Sequence, residues 1–229
     1  MKNILARGGI EFLAVFLGIA LSLWVDEYQK SKEAKKLNDQ ILSRLYDNLE
    51  ADSIDAEWNH KAHELAYESG NLIFKWCENG QPQNDSINLY LSRLAIATIF
   101  VNNEEEYNAL KSSGRMELLE NEDIVSTLHD YYTWIRYVKK VENTVINIVE
   151  NQFIPFMSNY ATFYGRSKTA NVYSNDFPLF KISKYPPAGE LSFYATYCST
   201  YAKYSADVYR GLLQRVTKLR KVIREELSS

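Results

Sequence analysis

Between Ile19 and Ser69 the chain contains neither glycine nor proline, and only nine Gly and five Pro occur in its 229 residues. These are the residues that turn or break a backbone, so their scarcity favours long helices over many short strands. The breaker-free run starts inside the most apolar stretch, Ile10 to Val25, and passes directly into Asp26–Lys36, which is dense in both signs of charge. The pattern predicts an all-α chain: an N-terminal transmembrane helix continuing as one rod into an extramembrane helical bundle. Residues 1–25 are read as tail and anchor, and 26–229 as the helical domain.

From Phe12 to Val25 fourteen residues carry no charge, a helix of roughly 21 Å against a hydrocarbon core of about 30 Å. Counting from Gly8 and accepting Glu11 extends the helix to roughly 27 Å, enough to span with little tilt. Lys2 and Arg7 are placed to snorkel on one side, and Trp24 and Tyr28 to form an aromatic belt on the other. A cleaved signal peptide would use Lys2 and Arg7 and a cut near Ala20-Leu21-Ser22. Glu11 at the edge of its apolar region and bulky Leu23-Trp24 after the cut favour an uncleaved anchor.

The predicted membrane helix has two unlike faces. Phe12, Phe16, Ile19 and Leu23 line one of them. Glu11, Ala14, Gly18 and Ser22, spaced by three and four, line another, and small residues at such intervals let two helices approach closely in lipid. Self-association through this face, with Glu11 at its rim, is the functional expectation, with membrane lipid and a second membrane helix as partners; the alternative is that Glu11 is solvated near the headgroups and Gly18 is incidental.

Beyond the membrane, Leu37, Ile41, Leu45 and Leu49, joined by Leu42 and Tyr46, form a stripe wide enough for a bundle. A second helical run is read from about Ser53 to Cys77, ending at Glu78-Asn79-Gly80-Gln81-Pro82. Asp85 or Ser86 is the expected cap of a helix over 87–100. Glu104 to Gly114 reads as a helix with acids in its first turn and a glycine stop. Asn121-Glu122-Asp123 opens a long helix running to about Phe153, before Pro155, with Ile124, Leu128, Tyr131, Trp134, Ile135, Val138, Val141 and Val145 inward.

Residues 157–189 are irregular, with short strands such as Thr169–Tyr173. The last helix, Glu190–Glu226, carries a coiled-coil-like seam of Tyr194, Cys198, Tyr201, Ser205, Val208, Leu212, Val216, Leu219, Ile223 and Leu227. In total this makes a bundle of about five helices, the first and last long.

A formal charge of −3 leaves no global basic field to recruit nucleic acid. The basic residues near the end of the last helix, Arg210, Arg215, Lys218, Arg220, Lys221 and Arg224, read first as a solvated face, with a phosphate-binding or anionic-lipid patch, diluted by Glu225 and Glu226, as the alternative. Seventeen Tyr fit half-buried positions, rings in seams and hydroxyls at the edge. Cys77 and Cys198 have no CxxC partner and read as inert buried thiols; a disulfide would require the two helices to bring them together.

Two blocks carry a family resemblance. Ile10-Glu11, Gly18-Ile19-Ala20-Leu21 and Trp24 followed by acids form the first. Tyr107-Asn108-Ala109-Leu110-Lys111-Ser112-Ser113-Gly114, then Leu118-Leu119-Glu120-Asn121 and Tyr131-Tyr132, form the second. Together they resemble an uncharacterised bacterial family of single-pass membrane proteins, a domain of unknown function. The resemblance implies an inner-membrane architecture and no activity. With the acidic exit Asp26-Glu27, it places the soluble domain on the periplasmic side.

Chemistry is sparse. Glu57, His60 and Glu64 have the spacing of half a carboxylate-bridged metal site, but no second Glu-x-x-His exists. Ser112-Ser113 reads as a helix terminus whose hydroxyls satisfy free carbonyls, within a structural motif of Tyr107, Leu110, Lys111, Ser112, Ser113 and Gly114. No cofactor is expected. A membrane-anchored interaction or scaffold protein is therefore the leading expectation. A transport or channel subunit using Glu11 and a metal-dependent enzyme using His60 follow in that order.

Overall fold

The computed structural model describes residues 2–119, 121–163 and 180–228; the side chains of residues 2–11, Ala14 and Phe163 lie outside the description. The architecture is all-α, organised by two long antiparallel helices, α1 (Lys2–Glu78) and α6 (Ala188–Leu227). Among the described residues no helix is long and apolar enough to cross a membrane.

Helix α1 has 77 residues, roughly 115 Å at 1.5 Å per residue. Its lower part is uncovered by the described residues: from Val15 to Glu33 every residue is exposed. Packing begins at Leu37 and is complete at Ile41, Leu42, Leu45 and Leu49, the stripe expected from periodicity. No second helix starts at Ser53, however. Polar Asp52 resembles a capping residue, but its carboxylate points into the bundle, 1% exposed, and the helix continues through it. At the far end α1 closes in a Schellman turn. Gly80 N–H donates to the Cys77 carbonyl at 3.1 Å and Gln81 N–H to that of Trp76 at 3.0 Å, with Gly80 at φ 77°.

Helix α2 (Ile87–Leu94) is shorter than the expected 87–100. The following residues, Ile96, Thr98, Ile99 and Val101, are β-branched and disfavour helix. They run extended instead, with Thr98 and Phe100 buried while Ile99 and Val101 face solvent. Ser86 stands at the N-cap without a side-chain bond, and its own N–H is held by Asn84 Oδ1 at 2.9 Å. Helix α3 (Glu105–Ser112) ends as expected, Gly114 turning the chain at φ 69° into a 3-10 turn (Arg115–Leu118).

Helix α4 (Glu122–Ile148) is capped by Asn121, whose Oδ1 accepts from the N–H groups of Asp123 and Ile124 at 3.0 and 3.3 Å. Its α-helical part ends at Ile148, and the helical run reaches Phe153, as expected, without breaking there. A π-helical turn (Val149–Phe153) leads into a last short helix, α5 (Ile154–Met157), and Pro155 sits in that first turn, where its missing N–H is tolerated. In the segment read as irregular, β1 (Ala161–Phe163) pairs antiparallel with β2 (Phe180–Ile182). The strand suggested at Thr169–Tyr173 lies outside the described residues.

The buried seam of α6 differs from the expected one in its first half. Leu191, Ala195, Ala202, Ala206 and Tyr209 are buried, whereas Tyr194 and Tyr201 lie at the edge and Leu227 is exposed. Small residues are needed because α1 and α6 nearly touch. A Cβ on Gly70 would lie 2.4 Å from Ser199 Cβ and 2.9 Å from the Ala195 carbonyl oxygen. From Val208 to Ile223 the seam is the expected one.

The apolar core falls into two clusters. The lower one joins Ile41–Ala56 of α1, Ile124–Val141 of α4 and Val208–Ile223 of α6. The upper one joins Ala62–Cys77, Val145–Met157 and Leu191–Ala202. Between them lies a layer of buried polar side chains: Asn59, His63, Glu142 and Ser205.

Candidate functional site: carboxylates beneath an extended strap

Residues 95–104 cross this polar layer as a strap, held by side chains from α1 and α4. Phe100 N–H donates to Glu142 Oε1 at 2.7 Å, Val101 N–H to Asp55 Oδ2 at 3.0 Å, and Asn103 N–H to Asp52 Oδ1 at 3.0 Å. Thr98 Oγ1 lies 3.1 Å from His63 Nε2. The extended strap cannot satisfy its own amides, and the helices supply acceptors in place of a neighbouring strand.

Two tyrosines complete the carboxylate shells. Tyr131 OH donates to Asp52 Oδ2 at 2.6 Å, and Tyr209 OH donates to Glu142 Oε1. Both rings are fully buried, so these tyrosines are core residues and not the half-buried seam residues expected from their abundance. Burial raises the carboxyl pKa of Asp52 and of Glu142, against hydrogen bonds from Tyr131 and Tyr209 that favour the charged forms. Burial also drives the His63 pKa down to about 4, with the neighbouring His60 adding to the effect, so His63 is neutral near pH 7. Its ring stacks on Tyr209 at 5.7 Å between centroids. With Asp52 1% and Glu142 5% exposed, neither reaches a substrate unless the strap moves. What the arrangement does chemically is fix the strap.

The strap feeds into the motif segment, which acts as a clasp. Tyr107 stacks on Tyr132 at 3.9 Å, and its hydroxyl lies 3.0 Å from His129 Nδ1. Leu110 is buried in the lower core. Glu106 takes a two-pronged bond from Arg44 at 2.8 and 2.9 Å, and Glu104 pairs with Lys139 at 2.7 Å. Ser113 Oγ donates to the Ala109 carbonyl at 2.6 Å and Ser112 Oγ to the same oxygen at 3.3 Å, closing the helix end; Lys111 is exposed.

Of the expected intramembrane face, Glu11 and Ala14 fall outside the described side chains. A Cβ on Gly18 would meet nothing within 4 Å, and Ser22 Oγ donates to the Ile19 carbonyl at 3.1 Å. The Glu57, His60 and Glu64 group is dispersed. Glu57 pairs with Lys61 at 2.8 Å, His60 Nδ1 lies 2.9 Å from the Ala206 carbonyl oxygen, and Glu64 is shared between His60 and Arg210. Among the described residues no three His, Cys, Asp or Glu side chains could hold a metal ion together.

Cys77 and Cys198 are free and buried. Contact between Gly70 and Ser199 places Cys198 about six residues, roughly 9 Å, below Cys77 along the antiparallel helix pair. That exceeds the reach of a disulfide. Burial raises both thiol pKa values, that of Cys198 to about 12.

The basic face of α6 is solvated, with Arg210, Lys218, Lys221 and Arg224 exposed, and its arginines also tie the helix to its neighbours. Arg210 reaches Glu64 at 3.3 Å and Arg220 reaches Glu50 at 3.3 Å, both on α1. Arg215 reaches Asp130 at 3.1 Å and lies over the Trp134 ring at 3.8 Å. Arg220 and Arg224 flank the Tyr46 ring at 4.6 and 5.5 Å.

Sequence reasoning missed Asp52, Asp55, His63, Glu142, Tyr131 and Tyr209 as one group. A signal was present: the inward stripe Leu45, Leu49, Ala56, Ala62 and Ala66 is interrupted on the same face by Asp52, Asn59 and His63. No family model, curated protein or solved structure matches the chain.

Proposed function

We propose that this is a membrane-anchored helical scaffold, held by residues near 8–25 and self-associating, with the bundle as its interaction domain. The observation that carries the proposal is the uncovered apolar segment of α1. Phe12, Leu13, Val15, Phe16, Leu17, Ile19, Leu21, Leu23 and Trp24 are all more than half exposed, on every side of the helix. Soluble surfaces rarely tolerate so large an apolar patch. Burying such side chains is worth roughly 1.5–3 kcal/mol each, which lipid or a second helix supplies. Gly18, open on its face, favours close helix approach. Membership of the uncharacterised single-pass family is part of the same proposal.

Flotation of the full chain with phosphatidylcholine vesicles after alkaline carbonate washing tests the anchor, and cross-linking in mild detergent tests self-association. Co-flotation is expected, together with a cross-linked dimer or higher species that weakens in Gly18→Leu. A chain that stays in the wash and remains monomeric without detergent overturns the proposal.

A further inference from the structure

Most cations of α6 are tied down within the fold, which leaves another set of basic residues conspicuous. Lys32, Lys35 and Lys36 follow Tyr28 by four, seven and eight residues and so share its face of the helix. All three are exposed, and among the described residues none of them forms an ion pair. Lys30 faces elsewhere and is bound to Asp26 at 2.7 Å. Asp26 falls on the far side of the helix, whereas Glu33 lies one turn before Lys36 and Asp39 one turn beyond Lys35 on the same face, at the foot of the bundle, without pairing to them among the described residues.

The helix is unbroken between Val25 and this stripe, so Lys32 stands roughly 10 Å and Lys36 roughly 17 Å along the axis from the last apolar residue. The headgroup layer occupies the first ~5–7 Å, and the Debye length at physiological salt is about 8 Å. Lys32 therefore lies within the field of charged headgroups, with Lys35 and Lys36 at its margin. Trp24 and Tyr28, stacked at 6.1 Å, mark the interfacial level on the same helix.

We propose that Lys32, Lys35 and Lys36 form a docking stripe for anionic lipid headgroups, gathering such lipids around the exit of the anchor. The inference rests on the anchor reading above and adds the lipid class. One lysine near an anionic surface changes local partitioning about 5-fold, so an enrichment of at least about 2-fold is expected even at the margin of the field.

The test uses the full chain carrying Ser31→Cys with a donor dye, the native thiols being buried, in phosphatidylcholine vesicles containing 20% phosphatidylglycerol. Energy transfer is compared for trace phosphatidylglycerol and trace phosphatidylcholine bearing the same acyl-chain acceptor. Greater transfer to phosphatidylglycerol at low salt, lost at 1 M salt and in the K32Q/K35Q/K36Q variant, supports the stripe. Equal transfer to both lipids, or enrichment that survives the triple variant, overturns it. So does displacement by inorganic phosphate beyond that by chloride at equal ionic strength, which would mark a discrete phosphate site. Failure to float with phosphatidylcholine alone is a failure of the anchor, and is read separately.

Discussion

Helix α1 is one covalent element in two physical environments. From Val15 to Glu33 every residue is exposed, whereas from Ile41 to Cys77 the helix buries a continuous face against α4, α6 and the strap. The upper part is specified by packing: its inward residues are matched to neighbours, down to a glycine where α6 touches. Among the described residues nothing packs over the lower part, which is helical through propensity and hydrogen bonding alone; for an isolated helix in water that is marginal. Stability in the lower part must come from outside, whereas in the upper part it comes from the fold. The two parts should therefore respond independently to mutation.

The sharpest way to break this contrast is Gly70→Leu. The Cβ alone would meet Ser199 Cβ at 2.4 Å and the Ala195 carbonyl at 2.9 Å, so α1 and α6 must separate. Overpacking of this kind costs about 3 kcal/mol. Chemical denaturation followed by circular dichroism should show that loss, with membrane flotation unchanged. The corresponding change in the lower part, Gly18→Leu, meets no atom within 4 Å and should leave the denaturation midpoint where it was. If Gly18→Leu destabilises the bundle by more than about 1 kcal/mol, the two parts are not independent.

The polar layer offers a second test, through pH. His63 is held near a pKa of about 4, below its unfolded value of about 6.5. Between those values the unfolded chain binds the extra proton, so the His63 contribution is complete above about pH 6.5 and is lost as pH falls towards 4. The limiting slope for one proton is about 1.4 kcal/mol per pH unit. Asp52 and Glu142 act in the opposite sense. Their raised pKa values mean that their contribution is greatest in acid and falls as pH rises above their unfolded values near 4. In His63→Phe the histidine slope disappears and the carboxylate slope is left, so stability relative to wild type should improve from pH 7 to pH 5. Urea midpoints at the two pH values measure this, and an unchanged difference between wild type and variant rejects the assignment.

How far this organisation could be read beforehand depends on which residues carried it. Leu37 to Leu49 and Val208 to Ile223 were legible because one apolar face at a 3.6-residue period has only one way to be buried. Asn121 and Gly114 were legible as caps because their side-chain and backbone preferences act locally. The continuity of α1 through Asp52 was not, because what keeps that carboxylate inside is Tyr131 and Asn103, 79 and 51 residues away. The strap was hidden for the same reason: Ile96 to Val101 is as apolar as a helix interior, and its acceptors come from α1 and α4. Small residues at Ala195, Ala202 and Ala206 lost to aromatic neighbours in a reading by hydrophobicity, since close approach is a property of the pair.

The α6 arginines give the mildest test, because they lie where the packed part of α1 meets solvent. Arg220 reaches Glu50 at 3.3 Å and also covers the Tyr46 ring at 4.6 Å. The Glu50 side chain is 58% exposed, and exposed ion pairs contribute about 0–1 kcal/mol. The stacking contribution is similarly about 0.5–1 kcal/mol at an exposed site. Arg220→Gln should lower stability by about 1 kcal/mol, whereas Arg220→Lys keeps the charge but loses the planar stack and should fall between the two. Raising the salt concentration separates the two contributions, since screening removes the Glu50 pair and leaves the contact over Tyr46 largely in place. If salt abolishes the whole difference between Arg220 and Gln, the ring contact contributes nothing, and the arginine ladder is held to α1 by charge alone.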